Sequence, residues 1–500
     1  MHDIQILQQH PRNVLESLKR GSIERMELAV EQITDEFMIY GLRGGLMDAL
    51  SKSFPDPRKE CEITVKQILS ASMAGHFQDM YAISQSPYAL HSPMLLAELG
   101  LNAKVLCEGE GISRRGTGDE TPFSGDVIRK MLNEVEPSSL VAWYNQFVGK
   151  AYLNQINYAP TFHILDCTEL EVNFSNEKYE GSGIVRRKKK RKDRLKTVKG
   201  KSCDKACEEY ELKRGYKLGS LRSLVDDGGV ITSMAFGAIN VHDLTLCKDM
   251  IMATPHLKPG DMLIEDCGFL DGKTISRLKK RRKVDVILPL RSDMKAYADS
   301  LTTAYHPDSS GSWEQHPTRD NQEIKRVERV DWMWDECQVE MDGCVVRELK
   351  ENRDGSGGQN DYEHWVFATT RVALTDANMI KIYQLRSEIE EDHRQWKHGL
   401  WDIDKFTSTS LVQVIYHVIC VLLSYNLCEI YSNTGAGQKF ADKTLRQLRR
   451  QQVRNHDVSM VVYADTYFAV FNAKYLFGLV LGMPKRVQKL LKPHLMSGFT

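Results

Sequence analysis

With 500 residues, 42% of them hydrophobic and 27% charged, the chain has material for several domains with buried cores and lacks the composition of a disordered or fibrous protein. Its 67 Lys and Arg balance 67 Asp and Glu, so net charge gives no argument for a nucleic-acid partner, and only local clusters of charge can. Eleven scattered cysteines behind an N-terminus that has no secretory leader read as reduced thiols in a cytosolic protein.

Residues 1 to about 150 read as mainly helical, with helical periodicity at 14–18, 65–80 and 125–153 and a turn-rich piece, SFPDP, at 53–57. The character changes at Thr161. Residues 162–168, FHILDCT, form a short apolar run of strand composition, with Asp166 near its end. A basic segment follows at 186–201, with eleven Lys or Arg and one acid. Cys203 and Cys207 lie just beyond it, with no second pair to complete a zinc site.

Residues 216–225 and 230–240 alternate in strand fashion around Asp227-Gly228-Gly229, a hairpin signal. Asn240-Val241-His242-Asp243 leads into a helix, 261–266 is a strand ending in Asp266, 272–283 a helix and 284–290 a strand. That order predicts a mixed-sheet α/β core. Residues 295–375 break it with a polar, Gly/Ser/Pro-rich opening, strand-like runs at 327–333, 338–349 and 364–370, and a Gly-rich loop at 354–359. They read as a β-rich insertion. A long helix is predicted from 376 to 400, a second from 409 to 431, and a basic helical tail after it. The apolar window 411–430 is interrupted by Gln413, His417, Ser424 and Asn426, which favours a buried core helix over a membrane span.

The helix at 376–400 carries a stripe. With about 100° per residue and Tyr383 at zero, Arg386 falls at about 300°, Glu390 at about 340°, Lys397 at about 320° and Arg394 at about 20°. Ile382, Leu385, Ile389, Trp396 and Leu400 form the adjacent core-facing stripe. Glu388, Glu391 and Asp392 fall at about 140°, 80° and 180°, a placement that predicts they face solvent. An exposed ladder of salt bridges has the same spacing, and the wheel alone does not separate the two readings.

Tyr383, Arg386, Glu390 and Lys397, spaced Y-(2)-R-(3)-E-(6)-K, match the YREK signature, and the stretch around them resembles a large family of bacterial insertion-sequence transposases with a DDE active site. Asp166-Cys167-Thr168 is similar to that family's first aspartate motif and Asp266-Cys267-Gly268-Phe269 to its second. Gly215-Tyr216-Lys217-Leu218 and Asn240-Val241-His242-Asp243 look like landmarks between them. The resemblance covers about 160–435 and implies a ribonuclease H-like mixed sheet flanked by helices and interrupted by a β-rich insertion.

The organisation expected on this basis has five parts. A helical N-terminal DNA-binding domain takes 1–155, the first part of the catalytic core 156–294, the β-rich insertion 295–375, the second part of the core 376–435, and a basic helical tail 436–500. Helix-turn-helix reading of DNA within the first part rests on position alone.

The resemblance also implies chemistry. Asp166, Asp266 and Glu390 would bind two Mg²⁺ ions, with Mn²⁺ as a substitute, because in-line displacement at phosphorus is served by a pair of oxygen-ligated divalent ions. Tyr383, Arg386 and Lys397, with Arg394 beside them, would grip phosphates of a transposon end, and Trp365 would stack on a base flipped from it, with Trp332 and Trp334 as rivals. Cys167 and Cys267 read as packed thiols on the opposite face of their strands. Basic clusters at 186–201, 277–283 and 439–454 suit phosphate contacts, although 186–201 fits a solvated loop or a nuclear import signal equally.

The implied protein is a cut-and-paste transposase acting at terminal inverted repeats and on target DNA. It would be a homodimer in the paired-end complex, cytoplasmic and nucleoid-associated, with no membrane. A catalytically silent DNA-binding derivative and a ribonuclease H-like metal nuclease are the other readings.

Overall fold

In the computed structural model, residues 8–30, 33–78, 80–90, 93–101, 122–188, 210–226, 228–309, 311–351, 353, 358–399, 401–440, 447 and 458–497 are described. Cys203, Cys207, the basic residues 189–201 and nearly all of the 439–454 cluster lie outside them. The chain forms two compact units, one of residues 1–140, 395–407 and 412–500, the other of residues 141–394 and 408–411.

The first unit joins the two ends of the chain. Strands β1 (Gln8–Gln9) and β2 (Arg25–Val30) share a four-stranded sheet with β13 (Val458–Ala464) and β14 (Tyr467–Asn472), in the order β1-β14-β13-β2. Val14 and Leu18 of the helix Pro11–Arg20 pack there against Met460, Val462 and Leu476. The N-terminal stretch, read from sequence as mainly helical, and the tail, read as helical, are therefore part sheet. The signal lay in the alternating, β-branched and aromatic run VSMVVYA-DT-YFAVFN, and Asp465, at φ 55, takes the left-handed turn position that Asp tolerates. The apolar helix Leu411–Ser432 is 89% buried over its most hydrophobic window, as a core helix is.

The second unit is built on a ten-stranded sheet. Its strands are β3 (Phe162–Val172), β4 (Gly183–Lys188), β5 (Tyr210–Val225), β6 (Gly228–Ala238), β7 (Met262–Glu265), β8 (Asp285–Pro289), β9 (Glu314–Gln315), β10 (Gln322–Val327), β11 (Asp342–Leu349) and β12 (Tyr362–Thr369). The order is β4-β5-β3-β7-β8-β12-β11-β10-β9, with β6 also paired to β5. β3, β7 and β8 run parallel, and the remaining pairs are antiparallel. This is the mixed, helix-flanked sheet of a ribonuclease H-like core.

Successive side chains on a strand alternate between faces, so each face collects its own core. Leu165, Leu221, Leu263 and Val286 pack with Cys247 and Ile251 of the helix Asp243–Ala253 and with Leu301 of the helix Lys295–Tyr305. Ile164, Ile264, Ile287 and Val346 pack on the other face with Met379 and Ile380 of the helix Asp376–Gln384 and Ile389 of the helix Ser387–His398. Each fully buried side chain of this size contributes roughly 1.5–3 kcal/mol, so the helices that carry the signature are pinned by their apolar stripe.

Three expectations need correction. Residues 295–375 open with the helix Lys295–Tyr305, and their strands extend the core sheet through pairing of β12 with β8. The run 327–333 is no strand beyond Val327, because Arg329 turns at φ 58 and 330–333 form a 3₁₀ turn. The helix predicted over 376–400 is two helices. Between them Leu385 and Arg386 donate to Ile382 and Tyr383 carbonyls three residues back, a tightening that re-aims the chain before Ser387.

Candidate active site

Register places the first two acids. β3 and β7 pair in parallel with Leu165 opposite Glu265, so the next residues, Asp166 and Asp266, stand side by side at adjacent strand positions. Leu165 belongs to one core face, and alternation turns Asp166 to the other, where the helix Ser387–His398 packs. Each aspartate is held by its successor: the Cys167 N–H donates to Asp166 Oδ1 at 2.7 Å, and the Cys267 N–H to Asp266 Oδ1 at 2.7 Å. Asp266 also caps the short 3₁₀ turn Cys267–Phe269.

Glu390 arrives from the helix, and Arg386 is the group that joins all three acids. Its guanidinium lies 3.2 Å from Asp166, 3.9 Å from Asp266 and in direct contact with Glu390. Arg386 and Asp166 are largely buried, whereas Glu390 is exposed. Burial pushes the Asp166 carboxyl up to about 6; the Cys167 N–H and Arg386 oppose the rise, and the charges of Asp266 and Glu390 add to it. Without a counter-cation three acids so placed repel, and Arg386 supplies that cation.

Among the described residues no group of three acids, histidines or cysteines is drawn tightly enough by itself to cage a metal ion. The donors are of the hard-oxygen kind a divalent ion takes: carboxylates from within β3, from the end of β7 and from one helix meet at a single positive centre.

Beside the acids opens a pocket of about 490 Å³, lined by Trp365, Phe367, Tyr383, Arg386 and Glu390 and also by His316 and Arg319. The Phe367 and Tyr383 rings stand 4.7 Å apart, and burial raises the Tyr383 hydroxyl to about 12. Trp365 is 39% exposed, an available aromatic face. Of its rivals, Trp334 is buried and Trp332 is exposed under the guanidinium of Arg329 at 4.2 Å; neither lines the pocket.

The other sequence candidates fall elsewhere. Arg394 is exposed and bonded to Glu391 at 2.6 Å. Lys397 lies on the same helix as Glu390 but belongs to the other unit, where its charge is beside Asp404. In the 277–283 cluster, Arg282 donates to the carbonyls of Met252, Thr254 and Leu257 at 2.6 Å and Lys279 pairs with Asp285, so these two cations hold the fold together. The Cys167 sulfur packs 3.6 Å from that of Cys247.

The expectation that Asp392 faces solvent is overturned, and Glu388 is half-buried rather than free in solvent. Asp392 is 2% exposed and bonded to the buried Arg222 of β5, and Glu388 is 3.3 Å from the same guanidinium. The wheel treated the far side of the helix as open, but β5 covers it. An arginine inside the apolar strand run LGSLRSLV was the available clue, since a cation buried there needs an acid from a neighbouring element. His316 and Arg319, which line the pocket, were also missed, and their sequence neighbourhood gives no signal.

Residues 175–427 match the protein family described as Transposase DDE domain, a span that includes Asp266 and Glu390 and begins after Asp166. No curated protein matches the chain.

Proposed function

This chain belongs to the transposase DDE domain family, and from that premise we propose that it is a cut-and-paste transposase of the YREK group with Asp166, Asp266 and Glu390 as its catalytic carboxylates. The observation that carries the reading is the meeting of those three acids on one guanidinium, beside an aromatic pocket that opens at the same place.

In this reading the acids hold divalent ions, Mg²⁺ in the first instance and Mn²⁺ as a substitute. Two such ions would supply an activated oxygen nucleophile and stabilise the departing 3′-oxygen of an in-line displacement. The protein's own groups do the rest. Arg386, with Tyr383 against it, binds and orients a phosphate next to the reacting bond, where a guanidinium bonds two oxygens at once. Trp365 offers its exposed face to a base drawn out of the stack. The DNA is the element's own terminal inverted repeats, paired by a homodimer, and then target DNA. Lys397 and Arg394 serve as further phosphate contacts along the same helix.

The test mixes the protein, Mg²⁺ and supercoiled DNA carrying candidate terminal repeats. Flush excision through hairpin ends, lost in Asp166→Ala and Glu390→Gln, is the expected result. Glu391→Gln is the control on the same helix, since Glu391 bonds the exposed Arg394 and takes no part in the contacts of Arg386 with the three acids. Unspecific nicking would assign the chain to the metal nucleases. Binding without cleavage would make it a silent derivative.

A further inference from the structure

The sheet carries a second built surface, away from the carboxylates. β4 and the first part of β5 pair as a two-stranded ribbon, from Gly183 opposite Gly215 out to Lys188 opposite Tyr210. β3 pairs with β5 only as far as Arg214, so the outer part of the ribbon continues past it.

The two faces of the ribbon differ in chemistry. One carries Val185, Arg187, Glu211 and Lys213, and its cations are matched by acids: Arg187 bonds Glu169, and Lys213 bonds Glu171 at 2.6 Å and Glu211 at 3.2 Å. The other carries Ile184, Arg186, Lys188, Tyr210, Leu212 and Arg214. On it Ile184, Tyr210 and Leu212 are 43%, 37% and 55% exposed. Arg186 lies over the Tyr210 ring at 4.0 Å, and Arg214 reaches the exposed Glu177 at 3.9 Å beside Phe174, itself exposed. Large apolar side chains alternating with cations on an open face are costly to leave in water, and they suit a partner that is both anionic and partly apolar.

Register connects this face to the acids. Asp166 is opposite Ser220, and the same side of β5 then carries Leu218, Tyr216, Arg214, Leu212 and Tyr210. The basic, apolar face is therefore the face from which Asp166 projects. Eight to ten residues separate Ser220 from Leu212 and Tyr210, and at about 3.3 Å each this is roughly 26–33 Å. That is about eight to ten base pairs at a rise of about 3.4 Å.

We propose that this face of the ribbon grips the DNA duplex on which the carboxylates act, about eight to ten base pairs from the reacting bond. The proposal rests on the reading that those carboxylates cut DNA. Arg186 and Lys188 project from one side of β4 about 6.7 Å apart, a spacing that lets them engage different phosphates of one strand. Ile184, Tyr210 and Leu212 close against sugar and base edges and exclude water. A two-stranded ribbon also has the width the major groove admits.

The experiment is a salt series of fluorescence anisotropy, using the full chain and a labelled duplex several helical turns long. It compares Arg186→Gln with Lys188→Gln against Arg187→Gln with Glu169→Gln, a neutralised pair on the opposite face, after thermal melting has shown both double variants folded. The first double variant is expected to bind several-fold more weakly, with a log–log salt slope shallower by about 2, or about 0.9 per lost phosphate contact. It should also lose hydroxyl-radical protection about eight to ten base pairs from the nick. The second should match the unaltered chain. Equal effects from both faces, or none from the first, overturn the proposal. So does a change in sedimentation without a change in DNA affinity, which would make the ribbon a contact between protein chains. If the unaltered chain cuts DNA and the ribbon variants bind as it does, only this proposal falls; if the unaltered chain does not bind duplex, the transposase reading falls with it.

Discussion

Arg222 and Asp392 form a buried ion pair between strand β5 and the helix that carries Glu390, with Arg222 4% and Asp392 2% exposed. Ile389 fixes the depth of that helix by burial, which is non-directional. The ion pair fixes its rotation, because a guanidinium and a carboxylate engage in one geometry. Glu390 is two residues before Asp392, so the orientation that satisfies Arg222 also aims Glu390 along its own side of the helix.

Removing one member of such a pair leaves an uncompensated buried charge. Asp392→Ala is expected to cost on the order of 3–5 kcal/mol in urea unfolding, whereas Arg222→Met with Asp392→Leu recovers most of that loss. Glu388, half-buried at 3.3 Å from Arg222, supports only part of the charge, so Glu388→Gln should cost less than Asp392→Ala. A loss below about 1 kcal/mol for Asp392→Ala, the range of exposed pairs, would show that the pair does not anchor the helix.

Arg386 occupies the centre to which a divalent ion would bring its charge. In chelator, Arg386→Ala leaves Asp166, Asp266 and Glu390 without that cation, and the variant should melt below the unaltered chain. Addition of Mn²⁺ should then raise its melting temperature more than that of the unaltered chain, because binding to the folded state stabilises by mass action and no guanidinium competes. Equal metal shifts in the two proteins would mean that Arg386 and the ion do not share the acids.

The pocket distinguishes Trp365 from its rivals. Stacking on an aromatic face is worth about 1–3 kcal/mol per base, so Trp365→Ala should slow the hairpin-forming step by about fivefold to a hundredfold, with Trp365→Phe between. Trp332→Ala removes a ring that lies outside the pocket under Arg329 and should leave that step unchanged. The comparison is made by following the hairpin product on a pre-nicked end. The reverse ranking would place the base elsewhere.

What was legible in the sequence follows from which forces are local. The apolar runs that carry Asp166 and Asp266 and the spacing of Tyr383, Arg386 and Glu390 are short-range patterns, and the structure gathers those residues, although β3 runs on past Asp166 to Val172 where the sequence suggested an end. The break at Leu385–Arg386 left the stripe usable, because Tyr383, Arg386 and Glu390 still line one pocket. Asp392 was misread because helical periodicity distinguishes faces and does not reveal that a distant strand covers one of them. The pairing of β2 with β13 joins residues more than 400 apart, a separation no local window spans. The helix Lys295–Tyr305 was hidden by the Gly, Ser and Pro that follow it within the same insertion.

Acid should weaken both units through buried histidines. Burial holds His256 down to about 4, with His163 and Lys258 adding to the shift, and burial likewise holds His417 to about 4. In the unfolded chain an imidazole titrates near about 6.5. Between those values the unfolded state takes up a proton that the folded state refuses. The stability these groups contribute is therefore fully present above about pH 6.5 and is lost progressively as pH falls from there through about 4, on the order of 3 kcal/mol for each residue. His417 Nε2 donates a long contact to the Asp402 carbonyl at 3.3 Å and packs edge-on against His76 and Phe406, so the neutral substitution His417→Gln keeps a donor and gives up ring packing. It should lower the melting temperature modestly at pH 7 and flatten its fall between pH 6.5 and 4.5. An unaltered slope in His417→Gln would mean that this imidazole is already protonated in the folded chain, and that the acid sensitivity comes from other groups.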